Sequence, residues 1–407
     1  MSLVIRGARV IDGTGADPLR DCTLLVEDRR ITGVSPGGGA RPPVGAATLD
    51  VEGRTVIPGL INCHAHLQMD AGRSPLSDLA AEPAGLSLLR AARRATEMLR
   101  RGITTVRDCG AKDWQVIHLG RAITEGVMEG PRILACGRAI CAVGGHALVL
   151  SEPVADAAQA GRAARQQLAA GAAFVKVMAT GGFGKDGERL DHSELGAAQI
   201  RAAAEAAHAA GRKITVHAYG NQGIRDAIAA GVDSIEHAAF PDQSTLALLG
   251  ERGIFIVPTL TNTFKVSTVG RAGGLPEYMV ETAAAAFPTM MANARRAWQA
   301  SVPMAIGTDA GSWLNAHTDI ATELRLRVEA GAPPMAVLTM ATQNGARCLG
   351  IDHDVGTLEP GKLADLVVLD GDPLDDLGAV ERVHAVYREG HLVRVEAEDP
   401  RLDQATR

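Results

Sequence analysis

Two histidines close an apolar run in "TVIPGLINCHAH": His64 and His66. Side chains at i and i+2 on a strand point to the same side. A strand ending here would therefore carry two imidazoles on one face where it surfaces. A metal ion would use such a pair; two solvated loop histidines are the plain alternative. Residues of the same kind recur at the ends of other short apolar segments: His217 in "KITVHA", His237 in "SIEHA" and Asp309 in "MAIGTDAG". Taken singly, each has an ordinary explanation. A strand-end histidine often just meets solvent, and an aspartate before Ala-Gly can be a turn former.

Lys176 is harder to explain in that way. It sits between Val175 and Val177 in "FVKVM", a pattern expected of a strand buried on both faces. An uncompensated ammonium there costs several kcal/mol, so it must be neutralised or paired. The chain has 41 lysines and arginines in all, and only six are lysines. A site that needed only positive charge would more readily use arginine. A primary amine can do what a guanidinium cannot: react with CO2 to give a carbamate, a long carboxylate able to bridge two cations.

These residues need a scaffold that gathers strand ends. The middle of the chain alternates short apolar segments with Ala-rich amphipathic ones. "GITTVRDCG", "FVKVMATGG", "KITVHAYG", "SIEHAAF", "FIVPTLT" and "MAIGTDAG" each follow a helical stretch. With the strand before His64 and one near "RILACGRAI", this makes eight βα units. Eight units close a TIM-like (β/α)8 barrel, whose functional face is the C-terminal end of its strands. A doubly wound open sheet is the alternative, but no GxGxxG opening supports it. His64 and His66, Lys176, His217, His237 and Asp309 then belong to strands one, four, five, six and eight. Both ends of the chain read as β and are separately too short for a core, so they are expected to form one small β-sandwich domain. The expected division is 1–57 for its N-terminal part, 58–350 for the barrel and 351–407 for its C-terminal part. "SPGGGARPPVGA" reads as a surface loop within that domain.

Composition excludes several function classes. A net charge of −6 argues against nucleic acid and against an anionic membrane surface. No apolar run approaches the roughly 18 residues of a membrane span. The N-terminus lacks signal-peptide features, and the six scattered cysteines form no CxxC pair. A cytoplasmic protein acting on a small molecule is expected.

The order HxH, Lys, His, His, Asp, with "VIPGLINCHAH", "GTDAG" and "GTLEPGKLADLVVLDGDPL", resembles the amidohydrolase superfamily over nearly the whole chain. "TTVRDCG", "GGHAL", "KVMATGG", "VHAYG" and "SIEHA" look most like its branch of metal-dependent prolidases (Xaa-Pro dipeptidases) and imidazolonepropionase-like enzymes. The resemblance implies two divalent metal ions, zinc by ligand type. His64, His66 and Asp309 would hold one, His217 and His237 the other, and carboxylated Lys176 would bridge them. It implies attack on an amide by a hydroxide held between the metals, with Asp309 shuttling the proton. It also implies a homo-oligomer.

Two more residues are candidates for substrate contact. His146, on the Gly-rich loop "VGGHAL", can stabilise an oxyanion or simply hydrogen-bond its own loop. Tyr219, two residues after His217, matches a tyrosine that contacts a substrate carboxylate in the dipeptidase branch, and can equally be rim packing. The segment "GGFGKDGERLDHSE" is more charged than the branch leads one to expect. The leading reading is hydrolysis of a dipeptide or N-acyl amino acid. The alternatives are a cyclic-amide hydrolase or deaminase, against which Lys176 weighs, and a scaffold relative without catalysis, against which the complete ligand set weighs.

Overall fold

The computed structural model describes residues 2–37 and 45–395. Most of the expected "SPGGGARPPVGA" loop lies outside the described residues.

The two ends of the chain meet in one sheet. Strand Thr55–Pro58 pairs antiparallel with Leu366–Leu369, placing Ile57 opposite Val367. On its other side it runs parallel to Ser2–Val10, which also pairs antiparallel with Leu19–Glu27. Arg30–Pro36 lies at one edge and His391–Val395 at the other. Ile5, Leu24, Val26, Val56, Leu366 and Tyr387 share one buried cluster on it. Among the described residues this is a single continuous mixed sheet of eight strands.

The middle of the chain is α/β with parallel strands, as the alternation requires. Leu60–Ala65, Ile103–Asp108 and Arg132–Ala135 form one parallel sheet. Ser151–Val154, Ala139–Ala142, Phe174–Met178, Lys213–Ala218, Ser234–His237 and Phe255–Val257 form the other. Leu60–Ala65, Ile103–Asp108, Phe174–Met178 and Ser234–His237 are buried at every residue, so both faces are covered. Helices such as Ala157–Ala169 and Ala197–Ala209 turn small apolar faces inward, with Ala160, Ala164, Ala203 and Ala207 buried. Asp156 and Asp242 cap two helices by accepting from the backbone N–H groups of Gln159 and Thr245.

Two of the eight expected strands take a different form. The third is split: Gly137, with φ of 69°, interrupts the apolar run and separates Arg132–Ala135 from Ala139–Ala142. The break divides the two sheets, although the Ala173 amide still donates to the Ala135 carbonyl across it. The eighth, around "MAIGTDAG", is an extended segment rather than a regular strand. It makes single parallel bridges, Met304 to Ile256 and Ala310 to Ala65. The Cys63 amide donates to Ile306 and the Asp309 amide to His64, so this segment spans from the last strand of the larger sheet back to the first of the smaller. Among the described residues, no helix is long and apolar enough to cross a membrane, and all six cysteines are free and buried.

Candidate active site

The strand ends bring His64, His66, Lys176, His217, His237 and Asp309 to one cavity, together with His146 and Tyr219. The Nε2 atoms of His64 and His66 lie 3.5 and 3.3 Å from the same oxygen, Oδ1 of Asp309. These three ligand atoms fall within 4.8 Å of one another. The ring of His237 lies 5.3 Å from that of His64 and 4.5 Å from that of His217.

Each of the four histidines is oriented by a second hydrogen bond. Nδ1 of His64 donates to Oε2 of Glu236 at 2.6 Å, and Nδ1 of His66 donates to the Gly110 carbonyl at 3.0 Å. Nδ1 of His237 meets the Thr259 hydroxyl at 2.6 Å, and Nε2 of His217 donates to the Gly181 carbonyl at 3.2 Å. The nitrogen left facing the cavity is therefore Nε2 in three rings and Nδ1 in His217. The acceptor-only partners of His64, His66 and His217 fix the tautomer through the far nitrogen, as imidazole ligands of a metal require, while the Thr259 hydroxyl orients His237. Backbone strain gathers at the same place: His237, Thr259 and Asp309 have φ of 67°, 48° and 59°.

Burial sets the charge states. It pulls the His64 imidazole down to about 4 and those of His217 and His237 well below the ordinary value, leaving neutral rings with a lone pair to give. Burial also acts downward on His66, but the Asp309 carboxylate outweighs it and the net shift is upward. Burial opposes ionisation of Asp309. His64, His66 and His237 overcome it and hold the carboxyl below the usual carboxylate range. Asn262 donates to the other oxygen, Oδ2, at 2.8 Å.

Lys176 is 1% exposed, and among the described residues its Nζ has no hydrogen-bond partner. The converging imidazoles and carboxylate, with this buried amine beside them, fit a site for a divalent metal ion. His64, Cys109 and Glu236 also come together. Arg107 already neutralises Glu236, so that group is a poor cation site.

Several residues at the site are not evident from the sequence. Glu236 is fully buried and accepts from His64, Arg107 and Thr215. Arg107 in turn donates to the Cys63 carbonyl at 2.6 Å and to Ser234 at 3.1 Å. A charge inside the strand "SIEHA" is the same signal that marks Lys176. Asn262 and Thr259 give no signal, because nothing local marks the hydrogen-bond partner of a buried aspartate or histidine.

His146 and Tyr219 also take up defined places. The ring of His146 stacks on His217 at 4.5 Å, and that of Tyr219 stacks on His237 at 4.5 Å with an interplanar angle of 3°. Burial pushes the Tyr219 phenol well up, so it keeps its proton. Phe183 and Trp313, 5.7 Å apart, add an apolar wall. Outside, a vestibule of about 620 Å³ shares His146 with the inner cavity and is lined by the charged segment after Lys176.

Known proteins resemble this one along nearly its full length. Ochratoxinase of Aspergillus niger is 27% identical over 413 residues, covering 94% of this chain and 84% of that one. The structure of a Xaa-Pro dipeptidase with methionine bound in its active site superposes with a TM-score of 0.87 at 29% identity, over 96% of this chain and 99% of that one. A prolidase in complex with N-methylphosphonate-L-proline gives a TM-score of 0.89 at 30% identity, over 97% and 100%. Residues 55–393 match the amidohydrolase family, and the chain belongs to that family.

Proposed function

We propose that this amidohydrolase is a binuclear-metal enzyme that cleaves the amide bond of a dipeptide, Xaa-Pro or similar, or of an N-acyl amino acid. The observation that carries this reading is Lys176. A buried amine without a partner among the described residues, beside His64, His217 and His237, is accounted for by a carbamate that bridges two cations. The members acting on cyclic amides and amidines generally work with one metal and have no use for such a lysine. The dipeptidase, prolidase and ochratoxinase relatives support the amide reading.

His64, His66 and Asp309 would hold one ion, His217 and His237 the other, and carboxylated Lys176 both, with zinc suited to this set. When bound, the ions lower the pKa of water and polarise a carbonyl. The chain supplies the rest. Asp309, held at Oδ2 by Asn262, takes the proton of the attacking water and passes it to the leaving amine. His146 meets the carbonyl oxygen as charge develops on it. The Tyr219 phenol donates to the free carboxylate of the substrate. Phe183 and Trp313 close the apolar side of the cavity against water.

In this reading the two parallel sheets are arcs of one (β/α)8 barrel spanning 58–350. The described residues of 1–57 and 351–407 make up the small β domain beside it, built on the one eight-stranded sheet that both ends share.

The test is a screen of Xaa-Pro and other dipeptides, N-acyl amino acids and cyclic amides against the zinc-loaded protein. Turnover of free-acid amides supports the proposal. Turnover confined to cyclic amides or amino-purines refutes it.

A further inference from the structure

The segment between Gly181 and Glu194 is rich in charge, and most of that charge faces water. Lys185, Asp186, Arg189, Asp191 and His192 are exposed, and Arg189 and Asp191 pair with each other on the surface. Glu188 is the exception. Its side chain is 11% exposed and turns inward, where Oε1 accepts from Nδ1 of His146 at 2.5 Å. Its other oxygen accepts from the Lys185 amide at 3.2 Å. A second carboxylate from the same segment, Glu194, accepts from the backbone amide of His146 at 2.8 Å.

The surroundings are built to hold this ring. An antiparallel bridge between Thr180 and Ser193 closes the base of the segment. Gly182 lies against the imidazole so closely that a Cβ there would come within 2.4 Å of Cε1. On its other side the ring stacks on His217. Among the described residues, Nε2 of His146 makes no hydrogen bond, and it belongs to the ring that lines the inner cavity.

We propose that Glu188 is a positioning residue that acts through His146, fixing which ring nitrogen faces the substrate. The inference rests on the reading of His146 as a contact to the substrate carbonyl. A carboxylate can only accept, so Nδ1 must carry a proton toward Glu188. That removes the flipped orientation and the other tautomer, and leaves Nε2 to the cavity. To donate to an oxyanion, Nε2 must carry a second proton taken up from solvent, and the Glu188 carboxylate is then the counter-charge of that ring. Burial opposes ionisation of Glu188, but its hydrogen bond with His146 outweighs this, and the carboxyl lies below its usual range. The charged segment, otherwise a departure from what the branch leads one to expect, thus delivers two carboxylates, Glu188 to the His146 ring and Glu194 to its backbone amide, and leaves its other charges in solvent.

The experiment is a double-mutant cycle on the metal-loaded enzyme, joined to ring 15N spectra of histidine-labelled protein. Glu188→Ala should lower kcat by about 10- to 100-fold, the range for lost outer partners, with KM changed by less than about threefold and metal content intact. In a His146→Ala background the same substitution should add less than about twofold, because the group it acts through is gone. In the spectra, the resonances lost in His146→Ala identify that ring. They should report a protonated Nδ1 in the wild type and a tautomer mixture in Glu188→Ala. Fully multiplicative losses in the double variant, or an unchanged His146 ring in Glu188→Ala, would overturn the proposal. The spectra decide it even if the wild type hydrolyses no amide, which would count against the proposed function instead.

Discussion

Nδ1 of His64 donates to Glu236 across 2.6 Å, and the opposite oxygen of that carboxylate receives Arg107. Three buried groups from three strands thus aim one imidazole at the cavity. Burial opposes the charge on Glu236, but Arg107 and His64 outweigh it and hold the carboxyl below its usual range. Glu236→Gln keeps the size and loses the charge. It should weaken metal binding by about 10- to 100-fold, the typical cost of losing an outer partner of a ligand. Competition with a coloured chelator measures this. Arg107→Ala leaves the carboxylate buried without its cation, and should destabilise the fold by about 3–5 kcal/mol in denaturant titration.

In the proposed mechanism Asp309 is both a ligand and the proton carrier. Asp309→Asn should retain at least one metal, because an amide oxygen can still ligate weakly, while turnover disappears because the amide cannot shuttle a proton. Metal analysis and initial rates on one sample separate the two effects. A variant that keeps more than about a tenth of kcat, a loss under about 1.4 kcal/mol, would remove Asp309 from the acid–base role.

Tyr219 tests the substrate class. A hydrogen bond to a charged group contributes about 1.5–3 kcal/mol, roughly 10- to 150-fold. Tyr219→Phe should lower kcat/KM by that factor on a free-acid substrate and much less on its C-terminal amide. Equal losses on both would return Tyr219 to packing against His237.

Asp108 gives the pH dependence. Burial raises its carboxyl from 3.8 to about 6. Below 3.8 the group is protonated in both the folded and unfolded chains and has no effect on stability. As pH rises from 3.8 through 6 the unfolded chain ionises first, so stability falls, by about 3 kcal/mol in total. Asp108→Asn removes this titration. It should match the wild type near about pH 4 and exceed it near about pH 7 in urea unfolding. A variant with the acid–alkaline slope of the wild type would show that Asp108 is not its source.

The parts of the site legible in the sequence are those that break a local rule. Lys176 stands out because an ammonium within "FVKVM" contradicts its burial, and His64 and His66 because period-two spacing puts both on one face. Asp309, His217 and His237 follow from their places at the ends of apolar runs. Glu236, a charge inside a strand, breaks the same rule as Lys176, but which residues the outer partners pair with is invisible for the opposite reason. Arg107 and Glu236 are 129 residues apart, and His146 and Glu188 are 42 apart, so no local pattern joins them. The split of the third strand at Gly137 is hidden because "RILACGRAI" keeps a strand-like composition on both sides of the turn. The eighth segment reads as a strand because its neighbours bury it, yet its pairing is limited to single bridges.

The central claim is a cation pair bridged by Lys176. The most direct measurement is metal content after zinc loading and removal of excess, on the wild type and Lys176→Ala side by side. The account predicts about two equivalents per chain in the wild type. In Lys176→Ala it predicts a clear loss of the second equivalent and no turnover, partly restored by a short carboxylic acid in CO2-free buffer. One equivalent in the wild type, or two in Lys176→Ala with turnover near that of the wild type, would contradict it.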